Sequence, residues 1–242
     1  MINQFSRLEL MFGKEAIAKL NNSRVAVFGI GGVGGYAVEA LARSGVGSID
    51  IIDNDDISLT NLNRQIIALH STVNQSKVEV SEKRILDINP DCKVYGHQIF
   101  FDETTVDEID FDAFDYVVDA IDSVKSKLLI AKICNEKNIP LISSMGTGNK
   151  LDPTMLEITD ISKTSYDPLA RVMRRELKKI GINHLTVVYS KEQPTEPDEN
   201  SIKELIDEEG ISKRTVPASN AFVPPSAGLI IASKVIKDLI NE

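Results

Sequence analysis

The stretch Val25-Ala26-Val27-Phe28-Gly29-Ile30-Gly31-Gly32-Val33-Gly34-Gly35 limits what this chain can become more than any other. A short apolar run ends in clustered glycines, and a helical pattern follows. That order predicts a buried strand, a tight turn and a helix with its first turn open to an anion. Gly29, Gly31 and Gly34 fit G-x-G-x-x-G. The first glycine permits the turn, the second lets a phosphate approach the backbone, and the third lets helix and strand pack closely. Free amides and the positive end of the helix dipole then face the phosphate. Asp53 ends the next predicted strand, nineteen residues after Gly34, where a carboxylate meets a ribose hydroxyl. Taken alone, Gly29–Asp53 allows a nicotinamide oxidoreductase, a nucleotide sensor or an ATP enzyme.

The 242 residues suffice for one large domain or one domain with an elaboration, and at 42% apolar they can build a full core. A net charge of −9 argues against a generally basic nucleic-acid coat and leaves room for a local basic patch. The two cysteines, Cys92 and Cys134, are far apart and form no C-x-x-C pair, so neither a zinc knuckle nor a disulfide framework is expected. Met1–Arg7 lacks the basic start and apolar core of a signal peptide, and no apolar stretch is long enough to span a bilayer. The expected setting is reducing and cytoplasmic.

Strand and helix patterns alternate along the first 150 residues. Residues 5–22 read as helical with a break at Gly13. Strands are expected at Arg24–Ile30, Ser48–Asp53, Cys92–Phe100, Tyr116–Asp119 and Pro140–Ser144. Helices are expected at Gly32–Ser44, Gln75–Ile88 and Lys125–Lys137. Asn54–Ser71 has no clean period and reads as a long loop with short helical turns, the kind of loop that carries function. The pattern predicts an α/β chain with a Rossmann-like, doubly wound, mostly parallel sheet covered by helices on both faces. Gly29, Asp53, Asp119–Asp122 and Ser143–Gly148 would share its carboxyl edge, where such sheets bind ligands. After Lys150 come expected strands at Met155–Thr159 and Leu185–Tyr189, a basic helix at Arg171–Lys179, an exposed or mobile loop at 191–214 and a closing helix at Ala227–Ile240. The whole, 1–242, reads as one domain: an arm at 1–22, a nucleotide-binding core at 23–150 and a C-terminal strand and helix elaboration at 151–242.

Asp53-Asn54-Asp55-Asp56-Ile57-Ser58-Leu59-Thr60-Asn61-Leu62-Asn63-Arg64-Gln65 is a segment that a nicotinamide-binding unit does not need. Here the chain resembles the ubiquitin-activating-like (ThiF/MoeB/HesA) family, which adenylates carboxylates with ATP. The family's G-x-G-G-V-G-S loop stands here as Gly29–Gly35, with Gly35 in place of the serine, and its N-L-N-R-Q signature is complete as Asn61–Gln65. The resemblance implies that Gly29, Gly31, Gly32 and Gly34 cradle ATP. By the same resemblance Asp53 holds the ribose, and Asn61, Arg64 and Lys77 contact phosphates. Asp122 would hold magnesium, and Arg7 would reach into the site of the neighbouring subunit of a homodimer. The chemistry suits those types: a carboxylate must approach the α-phosphate, and pyrophosphate must leave with added charge.

Members that pass an activated carrier onward often use a catalytic cysteine and a four-cysteine zinc site. This chain has no such zinc site, and both cysteines read as buried structural thiols. Val118–Lys127, Leu151–Thr154, Asp160–Thr164 and Asp167–Ala170 are similar to the tRNA threonylcarbamoyladenosine dehydratases. In that branch ATP activates the threonyl carboxylate of a modified adenosine beside the anticodon, and a neighbouring group closes a ring with net loss of water. The resemblance implies a tRNA substrate and allows a sulfur-transfer partner protein. Arg171–Lys179 is then either a phosphate-backbone contact or the solvated face of an amphipathic helix. The alternative activity within the family is adenylation of a ubiquitin-like sulfur carrier.

Overall fold

The computed structural model describes residues 2–198, 200–204 and 217–240. Seven strands form one sheet: β1 Arg24–Phe28, β2 Ser48–Ile52, β3 Lys93–His97, β4 Tyr116–Asp119, β5 Leu141–Ser144, β6 Leu156–Asp160 and β7 Thr186–Ser190, in the order β3-β2-β1-β4-β5-β7-β6. Every pairing is parallel except that of β6 with β7. Among the described residues six long helices accompany them: α1 Ser6–Asn22, α2 Gly34–Arg43, α3 Lys77–Ile88, α4 Val124–Lys137, α5 Pro168–Lys179 and α6 Val223–Ile240. The sheet is the doubly wound, mostly parallel one that the alternating pattern predicts.

Side chains alternate across the sheet, and the core divides accordingly. Val25 and Val27 of β1 pack with Ile49, Ile51 and the buried faces of α2 and α6, whereas Ala26 and Phe28 pack with Ile52, Val117, Ile130 and Cys134. Phe101, Phe111 and Phe114 complete that second layer, with Phe28 and Phe101 edge to face at 4.8 Å. The acidic stretch before β4 therefore hides an aromatic cluster.

Several boundaries differ from the expected ones, each for a local reason. β1 stops at Phe28 because Gly29 turns with φ 86°, and α2 starts at Gly34 because residues 32 and 33 form the turn. β3 ends at His97, where its register with β2 ends. The following residues turn inward and bury Phe101. α6 begins at Val223, four residues early. Pro224 and Pro225 fit its first turn, where no amide donor is required, and Asn220 Oδ1 accepts from the Val223 N–H. α1 breaks at Gly13 as expected. The described first part of the loop at 191–214 is mostly exposed, as expected, but it is fastened to the core. Lys150 Nζ donates to Glu192 O, the Glu192 carboxylate accepts from Leu151 and Asp152 N–H, and Thr195 N–H donates to Asn149 O, so this strap is pinned down. Residues 200–204 are helical, and 205–214 lie outside the described residues.

Candidate active site

Register sets the carboxyl edge. Phe28 is paired with Ile52 on one side and Asp119 on the other, and Asp119 with Ser143. The residues that follow, Gly29, Asp53 and Ala120, emerge side by side. The chain leaves β1 toward β2 on one side and returns to β4 on the other, which opens a crevice at this switch point. A cavity of about 290 Å³ occupies it, lined by Gly29, Gly31, Gly32, Asp53, Arg64, Lys77 and Asp122 among others.

The glycines divide their duties. A Cβ on Gly34 would sit 1.8 Å from Gly29 O, so this glycine is required by the close approach of turn and helix. A Cβ on Gly31 would find only Gln65 Nε2, at 3.9 Å, so Gly31 leaves its space to a ligand rather than to the fold. Gln65 Oε1 is buried without a hydrogen-bond partner among the described residues, and Gln65 lines the same cavity. An open backbone beside an unsatisfied acceptor fits a polar ligand such as a nucleotide.

Asp53 lies where expected and also holds the turn: its Oδ2 accepts from Ile30 N–H at 2.6 Å. Lys77 opens α3, with Ser76 as N-cap, and is 5% exposed. Its Nζ donates to Asp55 Oδ2 at 2.7 Å and lies 3.5 Å from Asp53 Oδ1. Two carboxylates thus position the ammonium at the wall. Arg64 follows the 3₁₀ turn Leu59–Asn61 and donates to Thr60 O and Asn63 Oδ1. Asn61 is not on the cavity wall. Its Oδ1 accepts from Ser58 N–H and closes the turn that presents Arg64. Asp122 is exposed in the loop between β4 and α4, and Arg7 is exposed on α1, away from the cavity wall.

Beneath this wall runs a buried network that sequence reasoning did not assign. Lys127 Nζ, fully buried, donates to Asp119 Oδ2 at 3.0 Å, Ser143 Oγ at 3.1 Å and Ser144 O at 2.8 Å, and Ser143 Oγ donates to Asp119 Oδ2 at 2.6 Å. It ties β4, α4 and β5 together just below residues 120–122. The apolar wall of Ile99, Phe100 and Phe101 was also missed, because only the inward turn after β3 brings it to the crevice.

Both thiols are buried, and burial pushes Cys92 up to about 11 and Cys134 up to about 12, so neither is a ready nucleophile. Among the described residues no cluster of three or more His, Cys, Asp or Glu side chains could hold a metal ion. Asp122, exposed at the cavity wall, is a carboxylate that could hold a cation there. Among the same residues, no helix is long and apolar enough to cross a membrane.

The ThiF family model matches residues 5–241. The chain belongs to the ThiF family. Within this family, tRNA threonylcarbamoyladenosine dehydratase of Bacillus subtilis is 49% identical over 245 residues, covering 100% of this chain and 96% of that protein. The protein of the same name from Escherichia coli is 42% identical over 175 residues, covering 72% of this chain and 65% of that one. The crystal structure of E. coli tRNA N6-threonylcarbamoyladenosine dehydratase, TcdA, in complex with ATP superposes with a TM-score of 0.87 at 34% identity, covering 98% of this chain and 94% of that one.

Proposed function

We propose that this ThiF-family chain is an ATP-dependent tRNA threonylcarbamoyladenosine dehydratase. The observation that carries the reading is the convergence of Gly31, Gly32, Arg64, Lys77 and Asp122 on one cavity wall. The likeness over the full length to dehydratases from two bacteria supports it. Chemically it is a ligase-like activation followed by cyclisation. The Gly31–Gly32 backbone and the N-terminus of α2 receive phosphate oxygens. Arg64 and Lys77 lower the repulsion between the attacking threonyl carboxylate and the α-phosphate, and Asp53 and Asp55 keep Lys77 in place until phosphate competes for it. Asp122 would hold a magnesium ion, which when bound supplies neutralisation of the departing pyrophosphate.

The whole chain, 1–242, acts as one adenylation unit with its arm at 1–22. In a homodimer Arg7 from one copy adds a positive charge to the site of the other. The substrate tRNA places the reaction in the cytoplasm. On α5, Arg174 is committed to Ile161 O and Thr164, which leaves the exposed Arg171 and Lys178 as contacts for the tRNA backbone. The buried thiols favour direct ring closure over a thioester step. The test is to incubate the protein with ATP, magnesium and tRNA bearing threonylcarbamoyladenosine, then weigh the nucleoside under non-hydrolytic handling. Loss of one water mass is expected; an unchanged mass overturns the reading.

A further inference from the structure

A second cavity, of about 350 Å³, lies beside the first and shares its Ala120–Asp122 wall. Its other sides come from the Met145–Lys150 loop, the start of α5, Pro194 and Pro217. Asp167 stands on its wall, 3% exposed. The Asp167 Oδ1 caps α5 by accepting from Ala170 N–H at 2.8 Å, while Oδ2 is buried with no hydrogen-bond partner among the described residues. The backbone N–H groups of Gly146 and Leu169 approach the carboxyl and favour its ionised form without closing a hydrogen bond on Oδ2. A helix cap needs only one oxygen. A second one, buried beside a cavity and unsatisfied, is costly to keep unless something binds to it.

On the dehydratase reading, this cavity adjoins the place where the carboxyl group is activated, so it receives the arm that carries that carboxyl. Ring closure there has a proton to dispose of. When the ureido group attacks the activated carbonyl carbon, a bond to that carbon forms and its bond to the AMP oxygen breaks. The electron pair leaves with AMP. Whichever ureido atom attacks, one N–H proton is surplus in the neutral ring. No histidine lines either cavity.

We propose that Asp167 is the base of the ring-closing step, its Oδ2 taking the ureido N–H proton inside the second cavity. This rests on the dehydratase reading above. Among the described residues, the other charged groups lining this cavity are Lys150 and Asp122. Lys150 Nζ donates to the Ser190 and Glu192 carbonyls, so its hydrogens are committed to the strap. Asp122 lies on the wall shared with the nucleotide cavity. Burial moves the Asp167 carboxyl above the usual carboxylate range, with the Ala170 N–H and the Lys150 charge opposing. A raised value makes a carboxylate a better proton acceptor.

The test uses the full chain with ATP, magnesium and the modified tRNA, and follows two readouts. One is tRNA-dependent exchange of pyrophosphate into ATP, which reports activation. The other is the single-turnover loss of water mass, which reports closure. Asp167→Asn preserves an oxygen to cap α5 but removes the base. The expected signature is a split: closure falls by about 10²–10⁴-fold while exchange persists. Wild-type closure should also slow as pH falls, with a flat profile in the variant. Closure at the wild-type rate in Asp167→Asn, or loss of exchange and closure in proportion, overturns the proposal and leaves the dehydratase reading standing. A wild-type protein that supports neither readout overturns both.

Discussion

The two adjoining cavities are built from opposite materials. The first cavity, beside the glycine turn, is lined by charges that neutralise one another: Lys77 rests between Asp53 and Asp55, and the Gly31–Gly32 backbone offers its amides nearby. The second cavity carries ionisable groups displaced toward neutrality by burial, Asp167 upward and Lys150 downward, among prolines and small residues. The first suits a highly charged ligand that must be held still. The second suits a polar, weakly charged arm from which a proton must be removed. Their common wall, Ala120–Asp122, stands on the buried Asp119–Lys127 pair.

That shared footing gives the comparison its severest trial. Lys127→Ala leaves Asp119 buried and uncompensated, and should cost about 3–5 kcal/mol in a urea titration. It should impair both half-reactions together. An unchanged midpoint would mean that the two cavities do not depend on this floor. Arg64→Ala touches the first cavity alone. It should lower pyrophosphate exchange by about 10²–10³-fold with the circular dichroism spectrum unchanged. A comparable loss in closure of a substrate already activated would blur the distinction between the cavities.

The smallest expected effect is a contrast in pH dependence. Asp50 lines neither cavity. Burial opposes its ionised form, but hydrogen bonds from His97 and Arg24 outweigh that and hold it below the usual carboxylate range. A lowered folded value contributes stability that is present above the unfolded value of about 4 and lost as pH falls. Asp167 has the opposite sign. Its raised folded value favours the fold at low pH, and that contribution is lost as pH rises above about 4. In urea midpoints, Asp50→Asn should therefore cost most at neutral pH and least in acid. Asp167→Asn should gain on the wild type as pH rises. Parallel curves for the two variants would remove the electrostatic half of the comparison.

The position of the first cavity was largely legible in the sequence because its parts obey local rules. A glycine turn must follow a buried strand, a carboxylate must end the next strand, and Arg64 and Lys77 lie in short motifs whose spacing is set within one loop or one helical turn. Asn61 shows the limit of that reading, since its side chain serves the turn rather than the wall. The second cavity has no such grammar. Asp167 reads in sequence only as a residue before Pro168, ahead of the helix expected at Arg171–Lys179; that it caps the helix and also holds an unsatisfied oxygen depends on the helix starting at Pro168 and on Gly146, Lys150 and Pro217 arriving from distant parts of the chain. The strap at 191–195 likewise reads in sequence as part of an exposed or mobile loop, and it is Lys150 and Asn149, distant in the chain, that pin it.

Sequence alone therefore determined the sheet's alternation, the glycine turn after the first strand and the charged residues around it. These follow from period, chirality and the special geometry of glycine, which act between near neighbours. Tertiary structure decided which carboxylates are paired, which are caps, and which remain buried with an oxygen to spare. Desolvation and hydrogen-bond satisfaction are properties of a surrounding volume. In this protein that volume is assembled from strands β4, β5 and β7, the strap and two helices, whose meeting no single stretch of the chain specifies.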